Sequence, residues 1–107
     1  MSAPQGQSPV QSNVRKVRQF QNSLSAANTP QALSPPAGYP SVAYDFIIIY
    51  NNNTSDSIYV GDSSSQKIVI QPSGSMSIDI RAPDAVDITS IYWTAPTAGD
   101  TIVVMYA

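Results

Sequence analysis

From Ser41 onward the chain alternates short apolar runs with clusters of Gly, Pro, Asn, Asp and Ser, and the runs are rich in β-branched and aromatic residues. Runs of this length and composition, broken by turn formers about every ten residues, are a strand-and-turn pattern. It predicts strands over residues 42–50, 57–61, 67–71, 74–81, 86–93 and 100–106, with a weaker one at 29–33. In 42–50, Tyr44, Phe46, Ile48 and Tyr50 share one face, and Ile47 and Ile49 the other. Both faces are apolar, as expected of a central strand or one lying under another segment. In 74–81, Met76, Ile78 and Ile80 alternate with Ser75, Ser77, Asp79 and Arg81, the pattern of a strand with one solvated face. Residues 100–106 set Ile102, Val104 and Tyr106 against Val103 and Met105. With no helical stretch between the runs, the expected fold is all-β, a small antiparallel β-sandwich or barrel over 41–107. Ile48, Ile58, Val60, Ile78, Ile80, Ile88 and Val104 are its expected core.

Residues 1–40 read differently. They hold six of the nine prolines among Gln, Ser, Asn and Ala, a composition that cannot build a core alone. The expected organisation is therefore an extended, basic, Pro-rich arm over 1–40 that orders only on a partner, followed by the β domain. Val10, Val14, Val17 and Leu24 recur at spacings of four, three and seven, which suits a short amphipathic helix over about 12–25. Gln21 interrupts that stripe, and an irregular extended arm is the alternative. Val14, Val17, Phe20, Leu24 and Leu33 are the expected apolar anchors of the arm, with Arg15, Lys16 and Arg18 as its charged contacts.

Charge sharpens this division. The net charge is only -2, yet residues 1–40 carry three basic side chains and no acid, while 41–107 carry two basic side chains and seven Asp. Such an arm seeks an acidic surface, including that of a neighbouring copy. The chain has neither Cys nor His, which removes disulfides, thiolate or imidazole metal sites and the Ser-His-Asp and Cys-His nucleophile systems in cis. The first ten residues contain no apolar stretch, and apolar runs such as 46–50 are far short of the roughly 20 residues of a membrane span. The expectation is a soluble protein without an export or membrane address.

The remaining polar motifs read as turn chemistry. Asp56 and Asp62 lie in oxygen-rich loops but lack calcium-loop spacing, and Asp also caps turns through its own backbone. Asp84 and Asp87, a nominal carboxylate pair, flank a strand start beside Pro83, an ordinary place for Asp. Ser63, Ser64 and Ser65 lack both the Lys of a phosphate loop and the Gly spacing of a nucleophile elbow. Arg15, Lys16, Arg18 and Phe20 form a weak footprint for nucleic acid, opposed by the acidic body. The tyrosines at 39, 44, 50, 59, 92 and 106, with Trp93, serve either as core and rim or as an aromatic platform for sugar or protein. Asn52-Asn53-Thr54 matches a glycosylation sequon. No catalytic residue, cofactor or metal site is expected.

Several short motifs resemble a known group. Ala27-Asn28-Thr29-Pro30-Gln31-Ala32-Leu33, Ile47-Ile48-Ile49, Ser57-Ile58-Tyr59-Val60-Gly61-Asp62-Ser63, Ile70-Gln71-Pro72-Ser73-Gly74-Ser75 and Thr97-Ala98-Gly99-Asp100-Thr101-Ile102-Val103-Val104 look like the small β-sandwich structural proteins of tailed bacteriophages. The resemblance spans about 26–107; the turn at 72–75 lacks that group's acidic residue, and residues 1–25 match nothing in it. It implies a non-enzymatic virion protein, assembled in the host cytoplasm, whose partners are the major capsid protein or other virion proteins and further copies in a dimer or trimer. A capsid decoration protein that clamps neighbouring subunits through its arm is the leading expectation. A tail, neck or baseplate component, or a receptor- or glycan-binding module, are the alternatives. An arm of about thirty residues reaches on the order of 100 Å, enough to cross a seam between subunits.

Overall fold

The computed structural model describes residues 15–107. Ten strands follow one another: β1 (Arg18–Ser23), β2 (Gln31–Ala32), β3 (Val42–Ala43), β4 (Phe46–Asn51), β5 (Ile58–Gly61), β6 (Gln66–Ile70), β7 (Ser75–Asp79), β8 (Val86–Asp87), β9 (Tyr92–Thr94) and β10 (Thr101–Tyr106). One 3-10 turn, Ile88–Ser90, separates β8 from β9. Two four-stranded antiparallel sheets, ordered β1-β10-β4-β7 and β2-β9-β5-β6, form the sandwich, and β3 and β8 make a small two-stranded clip. The alternation seen in the sequence supplies the inner faces. Ile47 and Ile49 of β4 and Ile102, Val104 and Tyr106 of β10 meet Ile58 and Val60 of β5, Ile70 of β6 and Trp93 of β9 in one buried cluster.

Strand β1 was not expected. Residues 18–23 form neither a helix nor a free arm but pair with β10 over six positions, from Arg18 opposite Tyr106 to Ser23 opposite Thr101. The pairing turns Phe20 inward, where its ring meets that of Tyr106 edge-on, with centroids 5.9 Å apart and planes at 82°. Phe20, Leu24 and Leu33 are 7, 3 and 1% exposed, so three of the expected partner anchors are core residues of their own chain. The physical reason is the competing period: residues three and four apart suggest a helix, but period-two burial of Phe20 with solvated Gln19 and Gln21 satisfies the same apolar groups against an existing sheet. Polar side chains then seal this flank. Asn22 Nδ2 donates to the Ser34 carbonyl (3.0 Å) and its Oδ1 accepts the Ser34 N–H (2.8 Å). Gln31 bridges the Ser23 carbonyl (2.9 Å) and the Ser25 N–H (2.9 Å) in the same way. The expected boundary at residue 40 is thus corrected: the β domain begins at β1, and residues 1–14, with Val14 and the first part of the expected 12–25 helix, lie outside the described residues.

Two expected strands are broken. The 42–50 run bends at Tyr44 and Asp45, where the N–H groups of Tyr44, Asp45 and Phe46 converge on the Ala107 carbonyl (3.0, 2.8 and 3.3 Å). The 86–93 run is interrupted because the Asp87 carboxylate accepts from Thr89 N–H (2.9 Å) and Oγ1 (2.6 Å), turning the chain into the 3-10 segment. Within β4 the buried face is Ile47, Ile49 and Asn51, while Ile48 is only partly covered on the outer face. Ile78 and Ile80 pack at the margin of the core rather than inside it, because β7 is a sheet edge. Gly61 is required by close approach, since a Cβ there would strike the Ser65 carbonyl at the turn after β5.

Asn51 is the one fully buried polar side chain among the described residues, and its hydrogen-bonding capacity is used. Its Nδ2 donates to the carbonyls of Asp56 (2.8 Å) and Ile70 (2.9 Å), and its Oδ1 accepts from Asn53 N–H (3.0 Å) and Nδ2 (2.7 Å). The Ile70 contact ties β4 of one sheet to β6 of the other. Asn53 in turn bonds both the N–H and the carbonyl of Thr101. Beside this knot, Asp100 Oδ2 is buried without a donor. Burial raises the Asp100 pKa, the neighbouring Asp56 carboxyl raises it further, and the Thr97 backbone opposes the shift.

Two outcomes are expected of the isolated protein. Phe20→Ala should cost about 3–5 kcal/mol in denaturant unfolding, whereas Val17→Ala, at an exposed site, should stay within about 0.5 kcal/mol; equal and small effects would return Phe20 to the arm. Because the folded-state pKa of Asp100 lies above its unfolded value, its contribution to stability is fully present below the unfolded pKa and is lost as pH rises through the folded one. Thermal unfolding followed against pH should show that loss between acid and neutral pH, and Asp100→Asn should flatten it.

Candidate partner-binding surface

The pairing of β1 with β10 determines where the basic residues go. Arg18 opens β1 opposite Tyr106, and residues 15–17 precede it across the end of the sheet. There Arg15, Lys16 and Arg18 line a cleft of about 160 Å³ together with Pro40, Val42, Tyr44, Tyr106 and Ala107. The Arg15 guanidinium lies over the Tyr44 ring, 4.7 Å from its centroid, and that of Arg18 over Tyr39 at 5.3 Å. Each cation–π contact is worth about 0.5–1 kcal/mol at an exposed site, enough to bias the orientation of a long side chain. Tyr106 is buried below them and donates its hydroxyl to the Pro40 carbonyl (2.6 Å), which clamps the 39–42 segment against β10. Burial raises the Tyr106 pKa, opposed by the nearby Arg18 charge and reinforced by Tyr39.

Among the described residues no acidic side chain lines the cleft. Its floor is apolar and its rim cationic, and guanidinium groups steadied on aromatic rings suit bidentate contact with a carboxylate or another oxyanion. The volume suits a side chain of a partner. Of the sequence-predicted contacts, Arg15, Lys16 and Arg18 come together here, Val17 stands nearby and 55% exposed, and Phe20, Leu24 and Leu33 are withdrawn into the core. Sequence reasoning did not join Tyr39, Tyr44 and Tyr106 to the basic stretch. Their signal is present only as tyrosines in the chain, because the pairing that unites positions 18 and 106 leaves no local trace.

The other candidate groups are accounted for by local structure. The Asp62 carboxylate accepts from Ser64 N–H (2.9 Å), Ser64 Oγ (3.0 Å) and Ser65 N–H (2.9 Å), and these bonds, led by the Ser64 N–H, hold its pKa below the usual value. Asp87 caps the 3-10 turn. Among the described residues no group of three or more acidic side chains is placed to hold a metal ion, and no helix is long and apolar enough to cross a membrane. The aromatic residues form no single platform: Trp93 and Tyr106 are core, Tyr39 and Tyr44 flank the cleft, and Tyr50 and Tyr59 are exposed on strands of opposite sheets.

Comparison of the chain with protein-family models, curated proteins and solved structures finds no match.

Proposed function

We propose that this chain is a virion structural protein, a capsid decoration protein that stabilises a bacteriophage head by gripping neighbouring capsid subunits through its N-terminal segment. The observation that carries the reading is the cationic cleft at residues 15–18, built on tyrosines at one end of a rigid antiparallel sandwich. Three of the five expected apolar anchors, Phe20, Leu24 and Leu33, are used inside the domain, so the grip is charge-led, with acidic groups of the partner meeting Arg15, Lys16 and Arg18 and one side chain entering the cleft. The short motifs that resemble those of small phage sandwich proteins support the reading through their turn chemistry. The Gly61-Asp62 turn is closed by three bonds to Asp62, and Gly99 takes a positive φ of 93° before β10. The dispersed tyrosines favour this reading over a sugar-binding platform.

Binding to undecorated particles should weaken as salt rises, since exposed charges are screened over about 8 Å at physiological ionic strength. Arg15→Glu combined with Lys16→Glu and Arg18→Glu should lower the affinity about tenfold or more, a loss of about 1.4 kcal/mol, with folding intact. Unchanged binding by the triple variant would refute the charge-led grip. Electron cryomicroscopy of the source particle tests the head assignment directly, and density for the chain on the tail or baseplate would move it there.

A further inference from the structure

The cleft at residues 15–18 keeps its two chemistries at different depths, and that separation selects among anionic partners. Three donors of its floor are engaged within the chain: the Tyr106 hydroxyl on the Pro40 carbonyl (2.6 Å), the Tyr44 N–H on the Ala107 carbonyl (3.0 Å) and the Ala107 N–H on the Phe46 carbonyl (3.2 Å). Pro40 and Val42, which complete the floor, bring apolar side chains, and Pro40 has no N–H to add. An anion pressed onto these groups would lose water and gain no donor in return. The cations stand at the rim instead. Lys16 is exposed, and the Arg18 guanidinium is held 5.3 Å from the centre of the Tyr39 ring.

A matching ligand presents an apolar group to the floor and a carboxylate to the rim, a few bonds apart. An apolar cavity of about 150 Å³ takes up benzene, so the cleft, at about 160 Å³, seats one side chain of leucine or phenylalanine size. An internal acidic residue fits this arrangement poorly, because its carboxylate is the tip of the side chain and would enter the floor first. In an extended segment, moreover, an apolar residue and the acidic residue next to it point to opposite sides. The last residue of a polypeptide carries both groups on one Cα, and its planar carboxylate suits bidentate contact with a guanidinium. We propose that the cleft takes the C-terminal residue of its protein partner, an apolar side chain lying on Pro40, Val42 and Tyr106 and the α-carboxylate meeting Lys16 and Arg18. The inference rests on the reading of this cleft as the gripping site and adds which part of the partner enters it.

The test is a titration of the isotope-enriched, full-length protein with N-acetylated Gly-Ser-Leu, followed by amide chemical shifts. The peptide with a free carboxylate should move the amides of Lys16, Arg18, Val42 and Tyr106 and leave those of Tyr59 and Val69 on the opposite sheet in place. Amidation of its C-terminus should weaken binding about tenfold or more, as should replacement of its leucine by glycine. Arg18→Gln should remove the preference for the acid over the amide, and Lys16→Gln, at an exposed site outside the strand pairing, should reduce it with the core spectrum unchanged. Equal binding of acid and amide, equal binding of the leucine and glycine peptides, or no shift at the cleft would each overturn the proposal. N-acetylated Gly-Leu-Asp amide separates this inference from the function it rests on. Binding of that peptide as tight as that of the acid would make the contact an internal acidic segment, which overturns the C-terminal assignment and leaves the charge-led grip standing. The grip itself fails only on unchanged particle binding by the triple Glu variant.

Discussion

Everything distinctive in this molecule follows from the antiparallel seam between β1 and β10. Six residue pairs zip the segment 18–23 onto the strand Thr101–Tyr106, joining parts of the chain about eighty positions apart. Loop-closure entropy grows only slowly with separation, so the seam can be this long-range as long as burial offsets it. Phe20 supplies much of that burial by closing over Tyr106, and Leu24 and Leu33 extend the same layer. A sandwich starting at residue 41 would lack these three side chains, in a size range where the core alone is marginal. The seam also carries Arg18 to Tyr106 and so builds the cleft.

Polar groups fasten the two sheets at places where apolar packing would not specify a register. On one flank, Asn22 and Gln31 bridge the β1 and β2 segments through carbonyl and N–H groups of both. At the loop end, Asn51 reaches the Ile70 carbonyl of the opposite sheet while Asn53 holds Thr101. A buried amide of this kind contributes little net stability when satisfied and destabilises strongly when a partner is lost, so it discriminates against slipped arrangements. Asp100 departs from this pattern. Its Oδ2 is buried without a hydrogen-bond donor, and burial together with the neighbouring Asp56 carboxyl raises its pKa.

The cleft combines the two chemistries that the chain keeps apart elsewhere. The basic residues of the first forty positions meet tyrosines from the β3 region and from β10, while the Asp residues lie outside its lining. Aromatic rings fix the direction of the arginines, and the buried Tyr106 fixes the loop that carries Tyr39. A surface arranged in this way suits an acidic group and fixes its orientation, which is the property the proposed clamp between assembled subunits would use.

The amino-acid sequence by itself determined the all-β class, the antiparallel pairing and the positions of most strands from 57 onward. Period-two alternation and Gly, Asn, Asp and Pro turns act locally and are therefore visible locally. It also determined the charge division and the absence of thiol and imidazole chemistry. What only the tertiary structure decided was the use of residues 18–33. Their prolines and amides suggest an arm, and their apolar spacing a helix, but β10 offered Phe20 an open sheet edge, and burial there outweighed local preference. The same distant pairing chose which face of β4 was inner, and it turned three apolar anchors into core. Of the expected contacts, it left the cations and Val17 at the surface, because burying an unpaired charge is far more costly than solvating it.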